Sequence, residues 1–134
     1  PPTLTAPKAA AFEKVDAARA AWLQSAALAS AIATAGWTAQ EWLHFINGLP
    51  QDISAARLQE LDLAFDLTNS ANAEIAFAWY MKAIAADYAP ALPAAEKFLM
   101  RVGRGKFIYP LYRALKDRGD LAAAERVFEK ARPL

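Results

Sequence analysis

"GWTAQEWLHFINGLP", residues 36–50, reads as one short helix with both of its ends marked. Thr38 and Glu41 have the spacing of a capping box, in which the threonine side chain accepts from the backbone three residues on and the glutamate reaches back. Gly48 and Pro50 stop the helix, because glycine is the common residue past a helix C-terminus and proline cannot continue one. Gly36 closes whatever precedes. Between these stops Trp42, Phe45 and Ile46 recur at three and four residues, so they share one face.

The same grammar repeats on either side. Upstream, from Lys8 to about Ile32, Phe12, Val15, Trp22, Leu23 and Leu28 are spaced anchors among alanines, which predicts one long helix or two short ones. Downstream, Ser54 suits the N-cap of a helix carrying Leu58, Leu61 and Phe65. In the turn "TNSANAE" Asn72 is the expected cap of the next helix, with Glu74 facing the positive end of its dipole and Ile75, Trp79 and Ile84 as core anchors. "ADYAP" is the next break. Pro90 and Pro93 fit the first turn of a helix running to about Val102, with Gly103 as its C-terminal cap. A helix near Pro110 to Asp117, the turn "RGD" and a final helix from about Leu121 complete the chain. Alternation of period two is nowhere sustained, so no sheet is expected. The fold class is all-α, with sequence neighbours expected as antiparallel helix pairs. Asp87, Ala89, Ala91, Glu96 and Lys97 reappear as Asp120, Ala122, Ala124, Glu129 and Lys130, a period typical of stacked helical hairpins.

Composition bounds the function. The 134 residues fit one domain, and 56% are hydrophobic, much of that alanine. Residues 1–7 read as a linker and 8–134 as a single helical domain. Lys and Arg number 15 against 14 Asp and Glu, so no global field argues for nucleic acid or an anionic membrane. With no cysteine, disulfides and thiolate chemistry are excluded. No apolar run is long enough for a bilayer, and "PPTLTAPKAA" lacks the order of a signal peptide.

No catalytic residue is expected in this chain. His44 is the sole histidine, so neither a His-based zinc site nor a Ser-His-Asp triad can be assembled, and H-E-x-x-H, P-loop and G-x-G-x-x-G are absent. His44 reads as a surface or partly buried side chain. Asp62 and Asp66 share a helix face and are expected to be solvated. Trp22, Trp37, Trp42 and Trp79 read as packing anchors rather than a ligand cage.

What remains is "RVGRGKFIYPLY", residues 101–112. Gly103 and Gly105 let a ligand approach the backbone, Arg104 offers a planar fork of donors, and Lys106 adds a second charge before the N–H groups of the next helix. This chemistry suits a carboxylate. The competing reading is an ordinary solvated turn.

"NAEIAFAW", residues 72–79, followed by "GRGKFIYPLY", residues 103–112, resembles the C-terminal helical domain of leukotriene A4 hydrolase and the aminopeptidase B-like zinc aminopeptidases. The resemblance runs from about Trp37 to Arg113. It implies an armadillo-like, two-layered right-handed superhelix that does no chemistry itself. Such a domain walls one side of a substrate cleft completed by a zinc-binding catalytic domain and an N-terminal β domain of the same parent chain. By the same resemblance the zinc ligands lie upstream, with no cofactor in this chain. Arg104 would bind the substrate carboxylate, Lys106 would assist, and Gly103 and Phe107 would position them. Gly105 and Tyr109 depart from the family pattern, which bears on how rigidly Arg104 is held and how anionic the preferred substrate is. The family continues past the equivalent of Leu134, so the chain reads as an excised domain. The implied parent is a cytoplasmic metalloaminopeptidase acting on short peptides, with no nucleic acid or membrane partner. Epoxide hydrolysis is known in part of the family, and no residue here points to it. The alternative is a free-standing helical-repeat scaffold that binds proteins through its concave face.

Overall fold

The computed structural model describes residues 6–25, 27–102, 110, 113–114 and 116–117. Among these, all regular structure is helical: α1 (Ala6–Leu23), α2 (Ala39–Asn47), α3 (Ala55–Phe65), α4 (Ala73–Ala85) and α5 (Leu92–Val102). Three single 3-10 turns join them at Ala29–Ala31, Leu67–Asn69 and Ala89–Ala91. Pro110, Arg113, Ala114, Lys116 and Asp117 are helical, as expected. The expected RGD turn, the final helix and the second copy of the repeat lie outside the described residues.

The local signals account for the helix ends. Thr38 Oγ1 accepts from the Glu41 backbone at 3.2 Å while Glu41 reaches back to the Thr38 N–H at 3.2 Å, completing the capping box. Ser54 accepts from Arg57 N and Asn72 from Ile75 N, so both expected caps are formed. Neither reading of the segment from Lys8 to about Ile32 holds over its whole length: α1 is one continuous helix but ends at Leu23, and among the described residues beyond it Ala29–Ala31 form a 3-10 turn. Pro90 sits in the Ala89–Ala91 turn and Pro93 in the first turn of α5, where no N–H is needed.

α4 organises the core. Ile75, Ala76, Ala78, Trp79, Tyr80, Ala83 and Ile84 are all buried, so the helix is apolar on most of its circumference, as a central helix must be. α2 and α5 pack against it, and so do the turns at Leu67–Asn69 and Ala89–Ala91. Val15 and Trp22 bring α1 into the same core, beside Phe45 and Ile46 of α2. Sequence neighbours pack as expected for α1 with α2 and for α4 with α5. The expectation fails at α3, which packs chiefly on the Ala29–Ala31 turn, while α2 lies against α1 and α4. The physical reason is the breadth of α4's apolar surface, which recruits α2 from beyond its immediate neighbour.

Candidate functional site

Both described flanks of "RVGRGKFIYPLY" rest on α4. On the upstream side, α5 is pinned by Phe98, which is buried and packs edge-on against Tyr80 with ring centroids 5.5 Å apart. The Tyr80 hydroxyl donates to the Thr68 carbonyl at 2.7 Å, and burial raises its pKa above that of a free tyrosine. Arg101, in the last turn of α5, stands over the Phe98 ring at 5.8 Å, and α5 ends at Val102 as expected. On the downstream side Pro110, Arg113, Ala114 and Asp117 border a hollow of about 340 Å³ together with Met81 of α4. Gly103, Arg104, Lys106 and Phe107, with Gly105 and Tyr109, lie outside the described residues.

Asp62 corrects the reading of its pair with Asp66 as solvated carboxylates. Its Oδ1 accepts from the Thr68 N–H at 2.9 Å, and its Oδ2 accepts from the Thr68 hydroxyl at 2.6 Å and the Tyr88 hydroxyl at 2.7 Å. Thr68 Oγ1 in turn accepts from Trp79 Nε1 at 3.0 Å. Burial, and then the hydrogen bond to Asp62, push the Tyr88 hydroxyl well above the ordinary tyrosine pKa. This network ties Tyr88, the residue before the Ala89–Ala91 turn, to Asp62 of α3, and the Leu67–Asn69 turn to both Asp62 and Trp79 of α4. Asp66 is exposed, and it ends α3 in the left-handed conformation with φ 54°.

His44 is half-buried, as read, but it is not idle. Its ring stacks on Phe12 with centroids 4.3 Å apart, and Nε2 lies 2.7 Å from Asp16 Oδ1. Asp16 also accepts from Arg19 Nη1 at 3.0 Å. Desolvation raises the Asp16 pKa, yet the hydrogen bonds from Arg19 and His44 together with their charges outweigh it and hold the carboxyl below its usual range. A second arginine works similarly on the other side: Arg57 stands 4.2 Å from the Trp22 ring centroid and donates to the Trp22 and Ser25 carbonyls at 2.6 and 3.0 Å. These clamps hold α1 to the domain. Their contacts between elements join residues more than twenty apart and had no local signature.

The four tryptophans are packing residues. Trp79 is fully buried and Trp22 nearly so, while Trp37 and Trp42 pack edge-on at 4.9 Å and Trp42 meets Phe65 at 5.1 Å. Among the described residues no three of His, Cys, Asp and Glu are grouped to hold a metal, and no helix is long and apolar enough to cross a membrane. The described part of the domain is a helical framework in which α5 packs on α4, while Pro110, Arg113, Ala114 and Asp117 share a hollow with Met81 of α4.

Residues 37–134 match the model of the leukotriene A4 hydrolase C-terminal family. Among curated proteins, leucine aminopeptidase 2 of Pyricularia oryzae is 36% identical over 98 residues, covering 71% of this chain and 16% of that protein. Leucine aminopeptidase 2 of Neurospora crassa is 35% identical over 101 residues, 73% of this chain and 15% of the relative. That of Yarrowia lipolytica is 41% identical over 66 residues, 49% of this chain and 10% of the relative. The chain spans about a sixth of the length of the first two relatives. With the all-helical framework, the caps and the "GRGKF" segment inside the matched range, the chain belongs to the leukotriene A4 hydrolase C-terminal domain family.

Proposed function

We propose that this domain, residues 8–134, forms one wall of the substrate cleft of a zinc aminopeptidase and binds the carboxylate of a short peptide. The observation that carries this reading is the family match over 37–134, which includes the Gly103–Phe107 segment, together with relatives that are leucine aminopeptidases. Arg104 supplies the donor fork for the carboxylate and Lys106 a second cation. Gly103 and Phe107 would position these two cations. A bidentate contact needs a guanidinium that keeps its direction. Zinc and its general base belong to the catalytic domain upstream, which with an N-terminal domain completes the cleft. The armadillo-like arrangement of stacked helix pairs is the expected frame for that wall.

The experiment is to read the coding sequence upstream of Pro1 and to assay both forms. H-E-x-x-H with a downstream glutamate, and cleavage of aminoacyl anilides by the parent alone, are the expected results. Hydrolysis by the isolated 134-residue chain, abolished by a chelator, would contradict the division of labour. A reading frame beginning near Pro1 would favour the free-standing scaffold instead.

A further inference from the structure

Leu28 and Leu63 are the exposed large apolar side chains among the described residues, at 66% and 81% accessibility. They come from different elements, one before the Ala29–Ala31 turn and one on α3, yet both border a single hollow of about 200 Å³. Leu28 also edges a second hollow of about 280 Å³, bordered by Ala18, Ala21, Trp22 and Ile32. Leu28 is therefore the ridge between two halves of one apolar surface. The sole charged side chain on either rim is Glu60, and it is paired with Arg57 at 3.1 Å. A surface without free cations does not suit nucleic acid or an anionic membrane, both of which need Lys or Arg facing them. Such a neutral apolar face suits the side chains of another folded polypeptide.

We propose that the Leu28–Leu63 face is an interdomain interface, covered in the parent by the rest of its own chain. The inference rests on the reading of the protein as part of a larger aminopeptidase, and it adds which surface is used. In the Pyricularia oryzae and Neurospora crassa relatives about five-sixths of the polypeptide lies outside the matched part, so there a domain of this kind shares its surface with a much larger body.

This chain contains no cysteine, which allows a direct test. Leu28→Cys and Leu63→Cys are made singly, in the 134-residue chain and in a parent whose other cysteines have been replaced, and their reaction with a maleimide is timed. Both thiols react quickly in the isolated chain. In the parent they react at least tenfold more slowly, and denaturant abolishes that protection. Equal rates in the two forms, in a parent that still cleaves peptides, overturn the interface while leaving the functional reading intact. Protection in the isolated chain that grows with its concentration assigns the face to a second copy and also overturns it. Absence of any peptidase domain upstream removes the functional reading and this interface with it.

Discussion

The guanidinium of Arg19, on α1, closes the C-terminal end of α2: Nε donates to the Phe45 carbonyl at 3.1 Å and Nη2 to that of His44 at 2.8 Å. The Phe45 carbonyl is among the last of the helix, which lack an i+4 partner, and the His44 carbonyl, which also accepts from the Gly48 N–H, gains a second donor; a cation is favoured at this end by the dipole. Arg19 is itself buried, so its bonds are made away from water. Gly48 has an ordinary helical conformation, with φ −88°, and does not need to be glycine for backbone reasons. It is needed for space, because a Cβ there would fall on the Arg19 guanidinium.

Arg19→Ala should therefore cost about 1.5–3 kcal/mol, the range for hydrogen bonds to charged groups. Gly48→Ala should destabilise the wild type as well, since the guanidinium it displaces is held by several bonds. In the Arg19→Ala background the same change should turn stabilising by about 0.4–1 kcal/mol, as alanine restricts the unfolded chain. Denaturant melts of the four proteins check the reversal of sign. A Gly48→Ala penalty of equal size in both backgrounds would refute the packing explanation.

Trp79→Ala should cost about 3–5 kcal/mol, because the side chain is fully buried at the centre of α4. Asp62→Ala leaves the Tyr88 hydroxyl and both Thr68 donors without their acceptor, and each stranded buried donor costs about 1–3 kcal/mol. Tyr88→Phe, which removes a donor along with its need, should cost less than Asp62→Ala in thermal unfolding. The opposite order would mean that Asp62 is solvated after all.

Asp16 makes the docking of α1 dependent on pH in a stated direction. Its folded pKa lies below the ordinary aspartate value of 3.8, so its contribution is present above that value and is lost as pH falls through the folded pKa. Asp16 is about half exposed, at 53%, so the effect is screened and modest. Wild type should melt higher than Asp16→Asn near pH 6, and the gap should close as pH falls below the ordinary aspartate range. A gap that persists at the lowest pH would assign the effect to packing rather than charge.

The sequence-local features were legible because their chemistry is complete within a few residues. Thr38 with Glu41, Ser54 and Asn72 each find their partner three residues on, and Trp79 lies in an apolar run that could only be central. The 3-10 turns are too short to show a period, and α3 ends at Asp66 in a left-handed conformation without the glycine that usually marks such an end. Arg19, Arg57 and Asp62 were missed for a different reason. Their partners are brought to them by the packing of helices far apart in sequence, and nothing in their immediate neighbours announces it. Of the candidate site, the pattern Gly103-Arg104-x-Lys106-Phe107 was legible by resemblance, and the structure adds the support of its two flanks by α4.

The central claim is that Arg104 binds a peptide carboxylate, and one comparison tests it most directly. Wild-type parent and Arg104→Ala parent are each given a tripeptide as the free acid and as the C-terminal amide, and kcat/KM is measured for all four pairs. Wild type should prefer the acid, and the variant should lose about 1.5–3 kcal/mol on the acid, roughly ten- to hundredfold, while handling acid and amide almost equally. The two changes delete one interaction and so cannot add. A variant that prefers the acid as strongly as wild type would show that Arg104 is a solvated cation in a turn and that the cleft recognises its substrate elsewhere.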